Sequence, residues 1–81
     1  MIETEFIDTN YGQMIIDLKP LLKEKKITPY RLSKLTGIKF DTIYRYCNNK
    51  IYRIDLTNLA RICTALHCDS SDIIKYVKIH H

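Results

Sequence analysis

The sequence predicts an all-α domain of about five short helices behind a short N-terminal arm. Apolar residues recur at helical spacing between Leu18 and Val77, and helix-capping residues stand ahead of those runs. The prolines fall where helices begin, and Gly37 falls where one ends. A chain of 81 residues is sized for one domain. The expected division is an arm over 1–13, the helical domain over 14–78 and a tail over 79–81.

Residues 1–13 lack helical periodicity and contain the turn formers Asn10 and Gly12. Glu3–Ile7 reads as a short strand or a loose arm, and Met14-Ile15-Ile16 is a brief β-prone run. Asp17 can cap a first helix that tolerates Pro20 in its first turn and runs to about Lys26. Its inner face would be Leu18, Leu21 and Leu22. The second helix starts with Thr28 as cap, Pro29 at the first position and Ile27 as a hydrophobic staple. Leu32 and Leu35 supply its buried face, and Gly37 stops it with a left-handed turn.

Ile38 then turns inward and a third helix begins near Lys39 or Phe40. Ile43, Tyr46 and Cys47 form its inner face, which leaves Lys39, Phe40, Asp41, Tyr44, Arg45 and Asn48 outside. Asn48-Asn49-Lys50 is a turn-type stretch that ends it. Asp55 caps a fourth helix carrying Leu56, Leu59, Ile62, Cys63 and Leu66 at helical spacing. Asp69 or Ser70 caps a fifth, whose Ile73, Ile74 and Val77 would close the core.

Two helices joined by a tight glycine-containing turn make a helix-turn-helix unit, here over 28–48. The second helix crosses close to the first, so the crossing residue must be small, and Ser33 stands there. Gly37 follows four residues later, then apolar Ile38 and Ile43. The charge distribution is in keeping with this. Between 28 and 53, Arg31, Lys34, Lys39, Arg45, Lys50 and Arg53 stand against Asp41 alone, a net +5 in a chain of net +4. A basic patch of that kind is the footprint of a phosphate-binding surface.

With these residues in place, the chain resembles the lambda-repressor-like (Cro/XRE) family, in particular its short single-domain members. The segments LKPLLKEKKITPYRLSKLTGIKFDTIYRYCNNK and LTNLARICTALHCDSSDIIKYV look like that family's five helices in order, covering about residues 14–77. Three positions depart from the pattern: Lys26 where glycine is usual, Ser33 for the commoner alanine, and Tyr46 for an aliphatic residue. The resemblance implies a sequence-specific DNA-binding transcriptional regulator, a repressor, whose helix 39–48 enters the major groove. The residues matching the family's base readers are Lys39, Phe40, Asp41 and Arg45, with Tyr44 beside them. Arg45 has the fork geometry for guanine, Lys39 suits guanine or phosphate, Asp41 suits cytosine N4 and Phe40 a thymine methyl. Phe40 packing against the next helix and Asp41 acting only as a first-turn charge are the plainer alternatives. Phosphate contacts fall to Thr28, Tyr30 and Arg31 at the second helix, and to Asn48, Asn49, Lys50 and Arg53 after the third.

The expected partners are double-stranded DNA and a second copy of the chain, since one such unit covers about a half-site. A regulatory protein partner is compatible with this. The competing reading keeps the fold and gives up DNA: a protein-interaction module of antirepressor or antitoxin type, suggested by the acidic arm with Glu3, Glu5 and Asp8. An enzyme is not expected, because the two glycines make no phosphate loop and His67 has no evident triad partners. No cofactor or metal is implied: Cys63, His67, Cys68, His80 and His81 match no common zinc spacing. The three cysteines read as small buried hydrophobes. The acidic start is unlike a secretion signal and no apolar run reaches the length of a bilayer span, so the cytoplasm is the expected compartment.

Overall fold

A computed structural model of the chain describes residues 11–78. Among them the order is β1 (Gln13–Ile16), α1 (Lys19–Lys25), α2 (Pro29–Thr36), α3 (Phe40–Cys47), α4 (Leu56–Leu66) and β2 (Ile74–Val77). A 3-10 turn at Ser70–Asp72 links α4 to β2. The strand considered for Glu3–Ile7 and the terminal histidines lie outside the described residues.

Helix starts follow local capping chemistry. The Thr28 hydroxyl accepts the Arg31 N–H at 3.1 Å with Pro29 next in line. One Asp55 carboxylate oxygen accepts from both Thr57 and Asn58 at the head of α4. Asp17 accepts from the Lys19 N–H just ahead of α1. The buried faces of these helices meet in one core of Leu18, Leu22, Leu32, Ile38, Ile43, Tyr46, Ile62, Leu66 and Ile73. Tyr46 is 1% exposed, and no fully buried side-chain nitrogen or oxygen among the described residues lacks a partner.

Three helices end in one kind of closure. A residue in left-handed conformation follows the helix, and the next N–H reaches back five residues to a free carbonyl. Lys26 (φ 58°) closes α1 with the Ile27 N–H on the Leu22 carbonyl at 3.0 Å. Asn49 (φ 55°) closes α3 with Lys50 on Arg45 at 2.9 Å, and His67 (φ 53°) closes α4 with Cys68 on Cys63 at 3.0 Å.

The expected fifth helix is not a helix. Asp69 and Asp72 do form a capping box, with the Asp69 N–H on Asp72 at 3.0 Å, but it starts only the 3-10 turn. Ile73 drops into the core, and Ile74–Val77 then pairs antiparallel with β1, Gln13 opposite Val77 and Ile16 opposite Ile74. The run Ile-Lys-Tyr-Val is β-branched and aromatic, and β1 offers it a ladder, so pairing overrides the helical pattern. The sheet starts early enough to include Gln13. Gly12 just before it lies so close to β2 that a Cβ would overlap the Val77 carbonyl and the Tyr76 ring.

Three residues expected inside are not. Leu35 is 48% exposed at the seam of α2 and α4, and Leu56 is 72% exposed because it occupies the first turn of α4, beyond the core. Val77 sits at the end of β2, 44% exposed. Of the cysteines, Cys47 is buried as expected, whereas Cys63 and Cys68 are only partly buried.

Candidate nucleic-acid interface

The turn between α2 and α3 sets the angle of the outward face. Gly37 holds φ at 75°, and nothing lies within 4 Å of where its Cβ would be, so glycine is needed there for backbone angle alone. Ser33 is small enough for the crossing, and its hydroxyl also donates to the Ile38 carbonyl at 2.6 Å. Thr36, which pattern reading passes over, completes the turn. Its hydroxyl donates to the Leu32 carbonyl at 2.8 Å and accepts the Ile38 N–H at 3.2 Å. An N–H and a carbonyl that leave the helix at the turn are thus both satisfied by side chains.

This latch anchors α3 by Ile43, Tyr46 and Cys47 and leaves Lys39, Phe40, Asp41, Tyr44 and Arg45 exposed. Phe40 does not pack into the core. It stacks on Tyr44 one turn later, ring centroids 6.2 Å apart at 29°. Asp41 is in the first turn of a helix that has no side-chain cap, and it remains open to solvent. The closure at Asn49 brings the backbone of Lys50 against that of Arg45, two cationic residues at one end of α3.

The residues singled out for phosphate fall into three groups. Thr28 and Asn48 share a groove with Tyr44, floored by Leu22, Ile27 and Cys47. Two lysines, Lys19 and Lys23, line the same groove from α1. They escape pattern reading because they look like the solvated side of an amphipathic helix, and only the fold brings them beside the starts and ends of α2 and α3. Tyr30 and Arg31 are exposed in the first turn of α2. There Pro29 has no N–H and the Arg31 N–H is taken by Thr28, so the Tyr30 N–H is the donor left to an incoming anion. Lys34 rests its ammonium 5.2 Å from the Tyr30 ring, a cation–π contact that steadies both.

Of the residues that follow α3, Asn48 and Asn49 have internal partners. The Asn48 amide donates to the Tyr44 carbonyl at 2.8 Å, and the Asn49 side-chain oxygen accepts the Ile16 N–H of β1 at 2.9 Å. Asn49 is therefore a strut between the end of α3 and the sheet. Arg53 is exposed in the loop before α4, next to Tyr52 at 93% exposure. Among the described residues no three His, Cys, Asp or Glu side chains are arranged to hold a metal. No described helix is long and apolar enough to cross a membrane.

A helix-turn-helix latched in this way, with a solvent-facing second helix beside a lysine-lined groove, defines a class of DNA-binding domain, and comparison with known proteins agrees. The family model of the Cro/C1-type HTH DNA-binding domain matches residues 17–78, and the chain belongs to that family. It is 33% identical over 63 residues to YozG, an uncharacterized HTH-type transcriptional regulator of Bacillus subtilis (strain 168), covering 78% of this chain and 75% of that one. Among solved structures it is similar to a "putative DNA-binding protein" from Bacteroides fragilis, with TM-score 0.68 and 30% identity. That match spans 78% of this chain and all of the other. The transcriptional regulator VanUg gives TM-score 0.66 at 25% identity, over 89% and 97% of the two chains.

Proposed function

We propose that this protein is a cytoplasmic, sequence-specific transcriptional repressor that lays α3 in the major groove of its operator. The observation that carries this reading is the exposed row on α3, in which Lys39, Phe40, Asp41, Tyr44 and Arg45 point away from a core held by the other face. Their chemistry suits base edges: a guanidinium fork for guanine, a carboxylate for cytosine N4, and an aromatic pair for thymine methyls. Thr28, Tyr30, Arg31, Asn48, Lys50 and Arg53, joined by Lys19 and Lys23, hold the flanking phosphates. Asn49 acts from behind, by fixing the segment that carries Asn48 and Lys50. Domain 14–78 is the working unit, and two copies bind a palindrome with half-sites about one helical turn apart.

The test is a fluorescence-anisotropy titration of short randomised duplex DNA at two salt concentrations, with wild type and Arg45→Ala/Lys50→Ala. The expected result is binding that weakens steeply with salt and is lost in the variant. Wild-type protein that fails to bind at low salt would overturn the reading.

A further inference from the structure

The closure that ends α4 has a chemical consequence. In this motif the residue that donates the long backbone bond and the residue that accepts it bring their side chains into contact. At the end of α1 that pair is Leu22 and Ile27, and both join the core. At the end of α4 the equivalent pair is Cys63 and Cys68. The Cys63 and Cys68 side chains line one open surface pocket with His67, Asp69 and Asp72. Cys47, by contrast, is 5% exposed beneath the α1–α3 groove.

We propose that Cys63 and Cys68 are a thiol pair that closes to an intramolecular disulfide by exchange with a low-molecular-weight disulfide such as oxidised glutathione. The backbone bond already holds the two residues together, so closure needs side-chain rotation and little chain movement. Burial, then the neighbouring Cys63 and Asp72, push the Cys68 thiol up to about 11. Either sulfur can open the exchange, Cys63 in the sequence that follows. Its thiolate forms a bond to one glutathione sulfur and breaks the S–S bond, expelling one glutathione thiolate, which takes up a proton. The Cys68 sulfur then gives up its proton and attacks the Cys63 sulfur, expelling the second glutathione as its thiol. Two cysteine thiols are oxidised to one disulfide and one oxidised glutathione is reduced to two molecules of glutathione.

The test is to incubate the full chain with oxidised glutathione, alkylate remaining thiols, digest with trypsin and weigh the peptides. Cleavage after Arg61 and Lys75 puts Cys63 and Cys68 in one peptide, Ile62–Lys75, and Cys47 in another, Tyr46–Lys50. The expected result is a 62–75 peptide lighter by two hydrogens and unalkylated, with Cys47 alkylated. A 62–75 peptide that is fully alkylated, or that keeps glutathione without closing, would overturn the proposal.

Discussion

Lys26 carries a left-handed backbone and an exposed side chain. Left-handed φ costs an L-residue roughly 1–2 kcal/mol, a cost glycine does not bear. Its family resemblance places glycine at this position, and the φ of 58° explains why. Lys26→Gly is expected to stabilise the fold by about 1 kcal/mol, raising Tm by about 4–8 °C in a domain of this size. Thermal unfolding followed by circular dichroism checks it, and an unchanged or lower Tm would contradict it. A second residue-scale effect concerns alkaline pH. Burial, aided by Asp55, raises the Tyr46 hydroxyl, and burial with Asp17 raises the Cys47 thiol, as Cys68 is raised to about 11. All three hold their protons longer folded than unfolded. Their contribution is intact below pH 9, where the unfolded thiols begin to ionise, and is lost as pH rises through 11. Urea midpoints should therefore fall between pH 9 and pH 11, and a flat profile would count against it.

At the scale of elements, the two strands and the helix-turn-helix obey different rules. Gly12 fits only because it lacks a Cβ, and its N–H donates to the Tyr76 hydroxyl at 3.0 Å. Gly12→Ala should cost about 1–3 kcal/mol by overpacking. Hydrogen exchange should show β1 and β2 opening while α2, α3 and α4 stay protected; protection retained in the strands would refute this. The same contrast explains what could be read from the chain alone. Thr28, Pro29, Gly37 and Asp55 act on neighbours a few residues away, so helices and turn are written locally. The fate of Ile74–Val77 is decided by β1, which lies some 60 positions earlier, and no local pattern carries that information. The candidate site divides in the same way. The outward row of α3 follows from its period, whereas Lys19 and Lys23 join the groove, and Asn49 turns to Ile16, only through the fold.

For the whole molecule, charge and surface matter together. If Lys19 and Lys23 hold phosphates, Lys19→Ala/Lys23→Ala should weaken binding to all duplexes alike. It should also lower the slope of log affinity against log salt by about 2. An unchanged slope would remove the groove from the interface. Pairing of two copies also has a surface available. Met14 and Tyr76 face each other across the sheet at 61% and 57% exposure, and Tyr52 is the most open of the large apolar side chains among the described residues. Equilibrium sedimentation with and without Met14→Lys would show whether a dimer forms there: a wild-type dimer dissociated by the lysine supports this face, and one unaffected by it rules the face out.

The pairing of Gln13 with Val77 draws the two ends of the described chain to the same edge of the molecule. A linker of a few residues from Lys78 back to Tyr11 would therefore join them into a ring without bending the sheet. Such a circular chain would keep its helix-turn-helix untouched while its unfolded form lost the freedom of open ends. The fold is in this sense already arranged as a loop, with α3 on the arc and its seam in the strands.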